Sequence, residues 1–272
     1  MHELLLLTQA PSPRHDQLLN ILAGISGMQP VPILEKHLLF KPNRSGGPTP
    51  GAQNTQVGAG AKGLKQLNAA ASGDAFYLRV VGERAGGAGG AGGMMNGPGN
   101  ADEGEGEEKS VGAAKWTIQF RDVPEVVRQR PVTARLMADI PITSGDPVGF
   151  MEAMDYSMGL ANGEVDSFVT AYYITGHRFT HQNTSILLYR ATIPAATSDR
   201  NGLLDIRKEG DGSRLLDSSG AYVVQAMLRV QDGSKVEIMN RGMTELLGLK
   251  ETLKGVVELD VGDRLAMDTR VR

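Results

Sequence analysis

Trp116, Ile118 and Phe120 alternate with Lys115, Thr117, Gln119 and Arg121, so that an apolar residue stands at every second position. Successive side chains of a strand point to opposite faces, and this period-two pattern predicts a strand with one face on a core and one in polar surroundings. Phe76, Leu78 and Val80 repeat it against Tyr77, Arg79 and Val81, as do Val132, Ala134, Leu136, Ala138 and Ile140. Longer runs follow at 168–179, 185–193, 222–230, 236–239 and 256–261. A last run sets Leu265, Met267, Thr269 and Val271 against Arg264, Asp268, Arg270 and Arg272. With 3–7 and 33–40, about ten strands are predicted, which favours a mainly antiparallel barrel or sandwich. Several of these strands are long, and long strands suit a barrel.

Three helices are predicted between them. Ser12 as N-cap and Pro13 at the first helical position precede Leu18, Leu19, Leu22 and Ile25 at helical spacing, with a stop near Gly24 or Gly27. Asp146-Pro147 opens a second helix, with Phe150, Met151, Met154 and Met158 on one stripe. The third, 243–254, buries Leu246, Leu247 and Leu253. The fold class expected is therefore mainly β with flanking α-helices.

Composition alters this picture in the first half of the chain. Residues 43–73 hold seven glycines, and residues 85–108 hold ten and end in an acidic run. Ordering such stretches costs about 1 kcal/mol or more per residue in backbone entropy, and their few apolar side chains recover little of it. Inserts at about 43–73 and 85–110 are accordingly expected to be disordered, interrupting a single domain over 1–272.

Charge and residue usage then exclude function classes. The formal charge is −3 and the isoelectric point about 6.0, which supplies no cationic field for direct nucleic-acid binding. The absence of cysteine removes disulfides, thiolate zinc sites and thiol catalysis together. Leu4 to Leu7 is too short for a signal peptide and follows Glu3 rather than a positive cluster. No apolar run reaches the roughly 20 residues of a membrane span, so no membrane partner is expected.

Candidate chemistry is sparse. The chain contains one Glu-x-Glu-x-Lys match, Glu105-Gly106-Glu107-Glu108-Lys109, a pattern that on a strand would place three charges on one face to hold a divalent ion and phosphates. It lies in the acidic tail of the second insert without apolar alternation, so a solvated linker is the favoured reading. Glu258 and Asp260 form a same-face acidic pair, and tunnel chemistry needs several. His177 and His181 are four apart, about 13 Å on a strand, and nearby acids do not complete a ligand set. The Gly-rich run at 86–93 has no helix or lysine to make a phosphate loop. Tyr172 and Tyr173 are adjacent on a predicted strand and face opposite ways, which makes one of them a candidate for a protein surface.

The terminal blocks carry a further signal. His2-Glu3-Leu4-Leu5-Leu6-Leu7-Thr8, Ser12-Pro13-Arg14-His15-Asp16-Gln17-Leu18-Leu19 and Leu38-Leu39-Phe40-Lys41 stand at one end. Arg241-Gly242-Met243-Thr244-Glu245-Leu246-Leu247, Lys254-Gly255-Val256-Val257-Glu258-Leu259-Asp260 and the run from Arg264 to Arg272 stand at the other. Together these resemble the family of subunit 18 of the Mediator complex in its filamentous-fungal form. The resemblance implies an antiparallel β-barrel similar to the triphosphate tunnel fold and a non-enzymatic role in the nucleus without cofactor or metal. The partners it implies are Mediator subunit 20, as a heterodimer, and a carboxy-terminal helix of subunit 8, which tethers the pair to the Mediator head module. RNA polymerase II is reached through the complex. Phe150, Met151, Met154, Met158, Tyr172 and Tyr173 are the partner-binding candidates, since methionine-rich walls adapt to an amphipathic helix. The alternative from another class is a metal-dependent tunnel triphosphatase acting on RNA or nucleotide triphosphates.

Overall fold

A computed structural model describes residues 1–43, 76–83, 115–126, 131–158, 170–194, 204, 206 and 212–271. In chain order the elements are β1 (His2–Ala10), α1 (His15–Ser26), β2 (Val31–Pro42), β3 (Leu78–Glu83), β4 (Lys115–Arg121) and β5 (Thr133–Ile142). Then come α2 (Pro147–Ala153), β6 (Tyr156–Ser157), β7 (Ala171–His181), β8 (Thr184–Ile193), β9 (Arg214–Leu215), β10 (Tyr222–Val230) and α3 (Val236–Leu253). The pairing order β1-β5-β4-β3-β2-β7-β8-β10 returns to β1, so eight antiparallel strands form a closed barrel. Closure pairs the first strand with the last along its whole length, from His2↔Val230 to Ala10↔Tyr222. β6 extends the end of β2 and β9 the end of β8.

Closing a sheet gives every strand an inside and an outside, and here most of the apolar side chains point outward. Leu4, Leu6 and Ala10 of β1 join Phe179, Ile186, Leu188, Val224, Ala226 and Leu228 in one buried cluster, covered by Leu18 and Leu22 of α1 and by Leu246, Leu249 and Leu253 of α3. α3 lies so close that a Cβ on Gly242 would sit 2.9 Å from Leu4 Cδ1 and 3.1 Å from Leu228 Cδ2. Leu38, Phe40, Leu78, Val80, Ile118, Phe120 and Ile140 form a second cluster, against Phe150, Met151, Met154 and Tyr156. The lumen therefore receives the other set of positions, where the sequence is polar.

The helix boundaries follow local chemistry. α1 is entered through a 3-10 turn, Ser12–Arg14, without the Ser12 side-chain cap that was expected, and it ends at Gly27, whose φ of 66° lies in the left-handed region that glycine adopts readily. α2 begins as expected, with the Asp146 carboxylate accepting hydrogen bonds from Val148 N and Gly149 N. It stops at Ala153, so Met154 and Met158 lie beyond its last turn.

Three of the expected strands are not strands. Residues 236–239 are the first turn of α3, which starts seven residues earlier than expected, because four residues are too few to separate a period of two from one of 3.6. Residues 256–261 contribute one bridge, Leu7↔Asp260. β1 is already paired with β10 along its length and with β5 over His2 to Leu5, so only the backbone beyond β5 is open to them. Residues 264–271 likewise make one bridge, Phe76↔Arg270, as they run past the start of β3. Apart from Asn43, the stretches expected as inserts and the Glu105–Lys109 motif lie outside the described residues.

Candidate functional site

The polar lumen gathers ionisable and polar groups from all eight barrel strands. Strand parity sends Glu3 of β1 inward opposite to Leu4, and it places Arg121 of β4 and Arg135 and Asp139 of β5 on the same inner side. Arg135 donates to Glu3 from Nε and Nη2, each 2.7 Å from Oε2. Arg121 lies 3.7 Å from the same oxygen and donates from Nη1 to Asp139 Oδ1 at 2.6 Å. Arg229 of β10 reaches Asp139 Oδ2 at 3.2 Å. Two carboxylates are thus enclosed by three guanidiniums.

The other side of the lumen is built from β2, β3, β7 and β8. His37 Nε2 bonds to Glu35 Oε2 at 3.0 Å, and its ring stacks on Tyr172 with centroids 4.7 Å apart and planes 15° from parallel. Tyr172 also shares a hydrogen bond with Arg79 of β3. Tyr189 of β8 donates to Gln225 of β10 at 3.2 Å, which links the two sides.

Burial and charge set the protonation states. Burial alone would raise the Glu3 carboxyl, but the Arg135 and Arg121 guanidiniums outweigh it and hold the group below the usual carboxylate range. Glu35 is lowered in the same way, against burial, by the hydrogen bond from His37 and by the nearby Arg178 and Arg79 guanidiniums. Burial lowers His37 below its ordinary value, and Glu35 only partly opposes this. A neutral His37 donates from Nε2 and leaves Nδ1 unprotonated, which agrees with that atom having no hydrogen-bond partner. The Tyr189 phenol is pushed up to about 12 by burial.

This arrangement can hold a barrel together, and it is poorly suited to metal chemistry. Glu3 and Asp139 face arginines and Glu35 faces histidine, and among the described residues no three potential ligands converge on one point. The Glu258–Asp260 pair proposed from sequence is divided, with Glu258 accepting from Gly255 N and Asp260 lying 3.7 Å from Lys250. His177 and His181 lie on β7 as a strand, and the ring that approaches His177 is that of His15 on α1, with centroids 5.6 Å apart. No sequence spacing signals that pairing.

The six partner-binding candidates sit inside the molecule. Phe150, Met151, Met154, Met158 and Tyr173 are buried, the first four in the second core cluster. Tyr173 lies beneath Lys36, whose Nζ is 5.0 Å from the ring centroid. Tyr172 points into the lumen against His37. The core thus brings four of the six together. Sequence places Arg79, Arg121 and Arg229 on strand faces that are either solvated or turned into a polar lumen where opposite acids neutralise them, and the closed ring selects the lumen for all three, while Arg135 and the acids that pair with them carry no separate signal.

The fold and its ion-paired interior define a class: a structural β-barrel with helices packed on its outside. The family model described as Med18 protein matches residues 2–270, and the chain belongs to that family. Subunit 18 of Mediator of RNA polymerase II transcription from Aspergillus niger is 35% identical, and that from Aspergillus fumigatus 36%, each over the full length of both chains. These relatives carry the name of a transcription-complex subunit, not of an enzyme. A chain in the solved Mediator head module of Schizosaccharomyces pombe superposes with a TM-score of 0.63 at 18% identity, covering 96% of this chain and 99% of that one, and shares the fold.

Proposed function

We propose that this protein is a non-enzymatic structural subunit of the Mediator head module that helps regulate transcription by RNA polymerase II in the nucleus. The observation that carries this reading is end-to-end similarity to fungal Mediator subunit 18, including both terminal blocks. Those blocks include most of β1, which closes the barrel, and part of α3, which covers the closure. The likeness therefore extends to the parts that define the architecture.

Within this reading the barrel pairs with Mediator subunit 20 and takes up a helix of subunit 8. The barrel offers an outer face already adapted to helices, since α1 and α3 bury Leu18, Leu22, Leu246 and Leu249 on it. Co-expression with subunits 20 and 8 from the same organism, followed by size-exclusion chromatography, tests the proposal. A stable three-component species is expected. Elution of this chain alone, with both candidates present and folded, would overturn the pairing.

A further inference from the structure

His15 and His177 stand on elements that only the fold brings together. His15 is the first residue of α1. His177 lies on β7 in register with Leu188 of β8 and shares the strand parity of Phe179, and both of those residues belong to the buried cluster outside the barrel. The His177 ring is therefore turned outward, toward the helix that packs there. The two ring centroids are 5.6 Å apart, with planes at 48°. Tyr222 of β10 completes the group, its ring 4.5 Å from that of His15, and Arg190 of β8 lies over the tyrosine at 5.6 Å.

Each imidazole has one nitrogen whose state is informative. Asp16 Oδ1 lies 2.9 Å from His15 Nδ1. An ionised carboxylate only accepts, so Nδ1 carries the proton and Nε2 keeps its lone pair, as in metal-ligating histidines oriented by a carboxylate. His177 Nδ1 is buried and has no hydrogen-bond partner. Ring packing explains why the two histidines meet, but it does not explain an orphaned nitrogen beside a second imidazole. Two imidazoles on one tetrahedral ion, with metal–nitrogen distances of about 2.0–2.1 Å, place their centroids about 5 Å apart, within a small side-chain rotation of the observed spacing.

We propose that His15 and His177 form a two-histidine site for a divalent transition-metal ion of the zinc class, bound through His15 Nε2 and His177 Nδ1. Imidazole nitrogens select such ions over calcium and magnesium, which take oxygen ligands. No third protein ligand converges there among the described residues, so solvent fills the remaining positions and the affinity is micromolar rather than that of a closed structural zinc site. The role is mechanical. The ion pins the first turn of α1 to β7 and so steadies the helix that lays Leu18 and Leu22 on the barrel.

Chelator-treated full-length protein, titrated with zinc alone by calorimetry, should bind a single equivalent with micromolar Kd. The same addition should raise Tm and slow amide exchange in α1. His15→Gln and His177→Gln should each weaken binding by about tenfold or more and cancel the rise in Tm, and Asp16→Asn should weaken it without abolishing it. His181→Gln, on the same strand, should leave both readouts unchanged. Should a glutamine variant fold poorly, histidine ring resonances of the unaltered protein give the same reading, because zinc should shift those of His15 and His177 and leave that of His181 in place. No binding below millimolar zinc, ring shifts that spare either histidine, or equal binding in the glutamine variants, the mark of an adventitious ion only, would each overturn the proposal.

Discussion

Glu3 and Arg135 lie 132 positions apart in sequence and meet inside the barrel, where both guanidinium nitrogens that face the carboxylate are 2.7 Å from one oxygen. Glu3 is 2% exposed, so the carboxylate has almost no water to replace a lost partner. Arg135→Met removes the hydrogen-bonded partner and leaves only Arg121, at 3.7 Å, so it should destabilise the protein by about 3 kcal/mol, the low end of the cost of breaking a buried ion pair. The double variant Glu3→Leu/Arg135→Met should lose less than the sum of the single losses, with a coupling of about 1–3 kcal/mol in urea denaturation. Strict additivity would show that the pair does not act as a unit.

Stability should fall with acid in two stages. His37 has a folded-state pKa below its unfolded value, so the unfolded chain takes up the proton first and stability declines once the pH drops below about 6.5. Glu3 and Glu35 are also lowered in the folded state, so their contribution is complete above about pH 4.5 and is lost as the pH falls through their folded values. Thermal melts from pH 8 to pH 4 should show the first decline, and His37→Phe, if tolerated, should flatten it.

Glu245 on α3 should tie that helix to the hairpin between β7 and β8. Its carboxylate accepts from Asn183 N at 2.8 Å, from Asn183 Nδ2 at 2.9 Å and from Thr184 Oγ1 at 3.1 Å. The site is largely exposed, so Glu245→Ala should cost only about 1 kcal/mol. Hydrogen exchange should nevertheless accelerate at Asn183, whose amide proton loses its acceptor.

Gly242 should tolerate little enlargement. The space in front of it already holds Leu4 Cδ1 and Leu228 Cδ2, so Gly242→Leu must lift α3 away from β1 and β10. A loss of about 1–3 kcal/mol is expected from chemical denaturation. The exposed Gly248, with nothing within 4 Å of a Cβ, should accept alanine with a small gain.

Much of this architecture was readable from alternation alone. Trp116 to Phe120 and Val132 to Ile140 form the strands they predict, and Asp146 caps α2 as its sequence suggests. Reading failed where pattern is degenerate, as at 236–239, and where pairing depends on which strand edges remain open, as at 256–271. The methionines at 151–158 pack in the second core cluster, the outcome that an apolar stripe at helical spacing favours over a binding surface. Enclosure is a property of the closed ring, so alternation alone leaves open whether Arg79, Arg121 and Arg229 face solvent or a lumen.

Ring closure by the two most distant strands also sets a timetable for synthesis. Until residues 222–230 have left the ribosome, His2 to Ala10 lacks the neighbour that completes its hydrogen bonding on one side. The nascent barrel thus stays an open, curved sheet with two unsatisfied edges for most of translation, and its last step joins segments with the greatest sequence separation in the ring. Maturation should consequently be slow relative to a helical domain of similar length, and dependent on protection of that leading strand.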